Sequence, residues 1–217
     1  MTEDRKHEED APRIVPVFPL PNTVFFPGTF LPLHIFEPRY RAMVQDASTG
    51  DGLIAIALAQ GGEFHAVGTV GRIRDLEPLE DGRSNLRLEG LQRVEMTEIR
   101  CDTPYRQVRA VPRSETLSPD DPAAVEQAKL ELLAILGLLR SVAGEEQVIV
   151  MHQELPFDVV VNSACAGLPV AAGLRQALLE DDDLSSRHLQ LSEYLALVVD
   201  AIRELPTQPG RDETPLN

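Results

Sequence analysis

Between Val15 and Val111 apolar residues recur mostly at every second position, punctuated by turn residues, whereas from Ser118 to Leu205 they recur at helical spacing. A β-rich half followed by an α-rich half is therefore predicted. In the first half LIAIALAQ, Leu53 to Gln60, is a continuous apolar run stopped by Gly61-Gly62, the signature of a buried strand and its turn. The run from Ala66 to Arg100 carries Asp81-Gly82 at its middle, and because both positions tolerate positive φ this predicts a hairpin. Val70, Leu76, Leu86, Leu88 and Val94 are expected to face inward, with the arginines between them in solvent. A further strand is expected at about Arg106 to Val111, after Pro104. Short strands without long intervening helices predict an antiparallel barrel, closed or half-closed. GTVG, Gly68 to Gly71, reads as part of a strand. One short helix interrupts, from Pro38 to about Ala47: proline suits its first turn, Gly50 its stop, and Tyr40, Met43 and Val44 share a face.

The second half opens at Ser118-Pro119-Asp120-Asp121, a capping serine, a first-turn proline and two acids at the positive end of a helix. Val125, Ala128, Leu132, Ile135, Leu136, Leu139 and Val142 form its stripe up to Gly144. Further helices are expected over Glu145 to Glu154, from Asp158 to about Cys165, over Val170 to Glu180, and from near Asp183 with the stripe Leu184, His188, Leu191, Leu195, Val198 and Ile202. Each buried leucine contributes roughly 1.5 to 3 kcal/mol, so helix packing holds this half together. The acidic run Glu180 to Asp183 reads as a solvated turn before the last helix. Residues 1–13 and 206–217 are polar and read as disordered tails, leaving a β-rich part over 14–113 and a helical part over 114–205.

With 217 residues and 43% hydrophobic side chains the chain can fill one large core or two small ones. A net charge of -15 repels phosphate backbones and anionic lipid, so neither nucleic acid nor membrane is the expected partner. The amino-terminal MTEDRKHEEDAPR lacks the apolar core of a signal peptide, and the expected location is cytoplasmic. Cys101 and Cys165 lack neighbours at metal-ligand spacing, and the five histidines are scattered; no metal and no cofactor is expected. A phosphate-binding GxxxxGK[ST] loop is excluded, because the only lysines, Lys6 and Lys129, follow arginine and alanine. A Ser-Lys dyad fits neither lysine, one in a tail and the other beside Glu126 and Glu131. Cys165 with His152 as base is a formal nucleophile pair, but a small core cysteine explains that segment more simply.

FPLPNTVFFPGTFLPLHIFEPRY, Phe18 to Tyr40, holds five of the chain's seven phenylalanines and five of its seventeen prolines. Prolines block long ladders but suit edge strands and crossovers. Two readings stay open for the rings: all five plug the barrel and its seam with the helices, or a subset at the bend, Phe25 and Phe26, stays partly exposed for extended peptide. Arg39 and Arg41 have two corresponding uses, pairing with Glu37 and Asp46 or meeting acidic peptide groups.

FPLPNTVFFPGTFLPLHIFEPRYRAMV, VGTVGRIRDLEPLEDGRSNLRLEGLQRVEM and LEDDDLSSRHLQLSEYLALV together resemble the N-terminal substrate-binding domain of the ATP-dependent Lon proteases, from about Ile14 to Leu205. The resemblance implies an α+β fold, a PUA-like antiparallel β pseudo-barrel with one short helix followed by a C-terminal helical bundle. In those proteases the domain helps capture unfolded or tagged polypeptide for ATPase and Ser-Lys protease modules, and IFEPRYRAMV is most similar to the short stand-alone members. The expected function is therefore a non-catalytic polypeptide-binding module, an adaptor or chaperone-like accessory without peptidase activity. Its expected partners are unfolded or tagged polypeptide and a separate ATP-dependent protease, and its expected state is a monomer or weak homo-oligomer. Candidate binding residues are Phe25, Phe26, Phe30, Phe36, Arg39 and Tyr40. The alternative suggested by a PUA-like barrel, RNA binding, requires Arg72, Arg74, Arg83, Arg87 and Arg93 to converge on one face against the surrounding acids.

Overall fold

The strand Leu53–Gln60 is buried on both faces, and the β-rich half is organised around it. In the computed structural model, which describes residues 11–117, 121–143 and 154–204, the β half comprises β1 (Arg13–Leu20), β2 (Phe30–Ile35), helix α1 (Pro38–Thr49), β3 (Leu53–Gln60), β4 (Glu63–Phe64), β5 (Val67–Pro78), β6 (Ser84–Ile99) and β7 (Gln107–Pro112). The helical half comprises α2 (Pro122–Ala143), α3 (Phe157–Gly167), α4 (Ala172–Glu180) and α5 (Leu184–Glu204).

Strands β1, β7, β6, β5 and β3 follow one another by antiparallel pairing, and β3 then returns to β1 to close a ring. That closing pair is parallel, with Val17 opposite Ala55, so the expected antiparallel barrel is amended at one seam. Between the two strands lie β2 and α1, a crossover long enough for parallel pairing. Val15, Val17, Leu53, Ala55, Val70, Val94, Met96 and Val108 fill the ring. On the other face of β3, Ile54 and Ile56 pack with Phe18, Phe25, Ile35 and the α1 residues Tyr40, Met43 and Val44. Burial on two faces is why this run lacks alternation.

Strands β5 and β6 outrun the ring, and their distal halves join β2 as a three-stranded arm. Gly82 at its tip has φ +79°, as the Asp-Gly turn requires. Leu76, expected inward, is 38% exposed. It lies past a register shift between Ile73 and Asp75, beyond the ring, and borders an open groove against α1.

The bend before β2 sends two adjacent rings into different cores. Phe25 packs under α1, whereas Phe26 joins Val24, Leu58 and Val67 in the cluster containing Leu132, Val160, Val161, Cys165, Leu179 and Leu191. Sheet glycines make room: a Cβ at Gly71 would lie 2.8 Å from the Phe25 ring, and one at Gly90 would lie 2.4 Å from the Phe26 carbonyl oxygen. The Gly28 N–H donates to the Gly90 carbonyl at 2.9 Å, stitching the bend onto β6.

Helix α2 begins at Pro122, three residues beyond the proline expected to open it, and the Ala123 N–H donates to the Asp121 carboxylate at 3.0 Å. The Ser118-Pro119 start expected from the sequence lies outside the described residues, as does most of the helix expected over Glu145 to Glu154. Strand β1 begins at Arg13, inside the stretch read as tail; residues 1–10 and 205–217 are outside the described ones. Asp183 caps α5, accepting from the Ser185 and Ser186 N–H groups at 2.8 and 3.3 Å.

Arg93, expected in solvent, is sealed between the two halves. From β6 its guanidinium donates to the carbonyls of Leu179 (2.9 Å) and Asp181 (3.0 Å) and pairs with Glu115 (3.2 Å) and Asp182 (3.0 Å). Arg187 of α5, equally buried, donates to Glu115 (2.9 Å), Asn162 (2.6 Å) and the Asp181 carbonyl (2.7 Å). Arg113 forks onto Asp182 at 3.0 and 2.6 Å. The acidic run is thus the anionic half of a seam, not a solvated turn, because the carbonyls at the negative end of α4 and the acids beyond it converge on β6.

Two consequences are measurable. Gly90→Ala should lower stability by about 1–3 kcal/mol in urea unfolding, since its methyl meets backbone; an unchanged midpoint would contradict the contact. Hydrogen bonding from Arg113 holds the Asp182 carboxyl below the ordinary aspartate range, with Arg113 and Arg93 charge adding to it. Its contribution is therefore present above the unfolded-state value and fades as pH falls through the lowered folded one. Asp182→Asn should cost about 1–2 kcal/mol near pH 7 and converge with wild type in acid; a pH-independent difference would refute the ion pair.

Candidate functional site

The six residues proposed from sequence fall into three places. Phe25 and Phe26, which one of the two open readings left partly exposed at the bend, are 3% and 0% exposed, because that bend folds onto Gly71 and Gly90 and its rings complete two cores. Phe30 and Phe36 are 52% and 59% exposed. Tyr40 is buried against Phe18, ring centroids 4.1 Å apart, and the Arg39 guanidinium lies 4.5 Å from the Tyr40 ring centroid. Burial pushes the Tyr40 hydroxyl above its ordinary value.

Phe30 and Phe36 belong to a stripe. Along β2 the side chains of Leu31, Leu33 and Ile35 turn to the core, and Phe30, Pro32 and His34 are exposed. Hydrogen bonding follows the same alternation. The Gly90 N–H donates to the Thr29 carbonyl at 2.9 Å, which makes Leu31/Leu88 and Leu33/Leu86 the bonded pairs of the β2–β6 ladder. The backbone groups of Phe30, Pro32 and His34 consequently point to the free edge, where no strand pairs with β2 among the described residues. Pro32 sits in the row where a missing N–H costs the ladder nothing.

Polar neighbours hold the stripe in place. The Arg87 guanidinium lies over Phe30, 4.8 Å from its centroid, and is anchored to Asp75 at 2.7 Å. His34 and Phe36 stack with centroids 6.2 Å apart. The His34 Nδ1 is 2.8 Å from the Asn85 Oδ1, while Arg83, which can only donate, faces Nε2 at 3.4 Å. Pro32, His34 and Arg87 were not among the candidate polypeptide-binding residues, although period-two alternation through FLPLHIF separates the inward leucines from the outward rings.

Arg39 and Tyr40 instead border a groove of about 520 Å³ with Cys101, Tyr105 and Arg106. Arg39 pairs with Glu37 at 2.9 Å, as one of the two expectations had it. Asp46 is not its partner, since that carboxylate accepts from the Tyr105 hydroxyl at 2.7 Å. The arginines required for RNA binding do not form a free face: Arg93 is in the seam, and Arg74, Arg83 and Arg87 pair with Glu89, Asp81 and Asp75.

Other candidate chemistry is equally constrained. Lys129 is buried against α2's own Glu126, 2.8 Å away. Burial pushes the Cys165 thiol up to about 12, leaving almost no thiolate at neutral pH, and His152 lies outside the described residues. Among the described residues no helix is long and apolar enough to cross a membrane.

A ring of strands bearing an aromatic-edged arm and backed by helices defines a two-part α+β domain of the PUA-like class. Residues 14–196 match the family model described as the ATP-dependent protease La (LON) substrate-binding domain, and the chain belongs to that family. It is 30% identical to the Lon protease of Anaeromyxobacter dehalogenans and 28% identical to Lon protease 2 of Myxococcus xanthus, in each case over 87% of this chain and 24% of the relative. The chain thus spans about a quarter of the length of these curated relatives. Among solved structures, the N-terminal domain of a Mycobacterium avium complex Lon protease superposes with TM-score 0.67 at 17% identity, covering 85% of this chain and 98% of that one. A Lon N-terminal domain protein from Xanthomonas campestris gives TM-score 0.58 at 26% identity with the same coverage of both chains.

Thiol chemistry checks the burial directly. At pH 8 an aromatic disulfide reagent should modify Cys101 in the folded protein and Cys165 only after unfolding, as read by peptide mass spectrometry. Rapid labelling of both would contradict the sealed position of Cys165.

Proposed function

We propose that the chain is a non-catalytic polypeptide-binding module of adaptor or chaperone-like character, which holds exposed apolar segments in extended form along β2. The observation that carries this reading is the pair of half-exposed rings, Phe30 on and Phe36 just beyond an edge strand whose outward backbone groups have no strand partner among the described residues. Extended peptide meets such an edge through main-chain hydrogen bonds, and alternate side chains supply apolar contact. The family's substrate-binding description supports the same direction, and a separate ATP-dependent protease is the natural recipient of what is held. Shifting the surface from Phe25 and Phe26 to Phe30 and Phe36 keeps the expected function while relocating its contacts.

Fluorescence anisotropy with unfolded client peptides tests it. Phe30→Ser/Phe36→Ser, two exposed changes that leave the core intact, should weaken binding by about tenfold. Leu197→Ser, at an equally exposed position on α5, should leave affinity unchanged. Equal affinity in all three proteins would remove the stripe from the account.

A further inference from the structure

We propose that the open end of the β-ring is a binding site for a carboxylate that carries a short apolar group. All five ring strands contribute to a cavity of about 250 Å³, whose walls include Val15, Leu53, Val70 and Val94 and whose rim carries Arg72. Barrel mouths are a recurrent place for one small ligand, since strand closure leaves an apolar interior that side chains fill incompletely at the end.

Arg72 gives the site its polarity. Among the described residues its guanidinium has neither an ion pair nor a hydrogen bond, and its Nε is shut off from solvent without a partner. Three other arginines also have an orphaned Nε, but each is otherwise engaged. Arg93 and Arg187 hold Glu115 and backbone carbonyls, and Arg175 donates to the Ala166 and Asn22 carbonyls. Arg72 alone among these four keeps a whole fork unspent. Its rim neighbours are cationic too: Arg74 is paired with Glu89, and Arg13 lies 3.9 Å from Asp51. With Arg74 and Arg13 already held by acids, Arg72 is the cation at this mouth that an incoming anion would meet, in a chain whose net charge is otherwise -15. A planar guanidinium matches a carboxylate in two parallel hydrogen bonds, and the apolar wall below requires that the carboxylate bring carbon with it. Two sources share this chemistry, a free short-chain acid and the terminal residue of a polypeptide. The site lies apart from the β2 stripe and does not rest on that reading.

The test is an amide-resonance titration with hexanoate and with hexan-1-ol. Hexanoate should shift Val15, Val70 and Val94 saturably and bind at least about tenfold more tightly than the alcohol, because only it engages the guanidinium. Arg72→Gln should remove that advantage and leave the alcohol unaffected, and Phe30→Ser/Phe36→Ser should bind hexanoate as wild type does. Competition by a hexapeptide ending in free leucine, but not by its amide, assigns the site to a polypeptide terminus; failure of both peptides to compete assigns it to a small acid. Equal binding of hexanoate and hexanol, no shift at those residues, or an undiminished preference in folded Arg72→Gln overturns the proposal. Should Arg72→Gln prove unfolded by thermal melting, the acid-to-alcohol ratio on wild type decides alone.

Discussion

Two guanidiniums buried side by side between the ring and the helices are the constraint on which the rest of the structure depends. Removing arginine charge from water costs several kcal/mol per ion unless partners fully replace the hydration. Arg93 and Arg187 share the single carboxylate of Glu115, so most of the replacement must come from elsewhere. It comes from carbonyls at the end of α4, from Asn162 and from Asp182. Burial and the neighbouring Arg187 push Arg93 below arginine's ordinary value, with Glu115 and Asp182 opposing them only in part. Such a network adds little net stability over an apolar seam, but it tolerates only one docking of the helical half. Sliding α4 or α5 by a turn would leave two cations stranded.

The same logic of division operates at the bend. Because Phe25 belongs to the core under α1 and Phe26 to the helical core, the backbone between them is pinned across Gly71 and Gly90. That pinning sets where the chain leaves the barrel and therefore where β2 begins. Among the described residues strand β2 then pairs only with β6, and the side chains of its outer row are exposed. The exposed stripe is thus a consequence of two buried rings.

What could be read from the chain was whatever local period determines. The double-sided burial of β3, the Asp81-Gly82 turn and the apolar face of α1 are each encoded within a dozen residues. Arg93 was misplaced because alternation sends a charged residue outward by default, and its partners lie some twenty and ninety residues away in sequence, at Ser114 and Asp182. The choice between burial and exposure of Phe25 and Phe26 stayed open for a related reason. A proline-rich bend resembles an exposed loop until the glycines that receive it are known to lie opposite, and those glycines sit on strands whose register no local pattern reveals. The parallel β1–β3 closure is likewise a product of the crossover through β2 and α1, visible only once the ring is assembled.

An open edge strand invites pairing with any extended chain, including another copy, so its chemistry must discriminate. Pro32 stands at the centre of the outward row. Antiparallel pairing of two β2 strands about that point would set proline against proline and forfeit both hydrogen bonds of the central pair. A client residue opposite Pro32 forfeits only one, since it can still donate its N–H to the proline carbonyl. Phe30 and His34 on either side keep both groups available. Charge acts in the same direction, because two molecules of net charge -15 repel one another while a neutral or basic segment is not repelled. One imino acid and a global charge together disfavour pairing of this edge with a second copy, and the Arg87 guanidinium lies over part of the Phe30 ring.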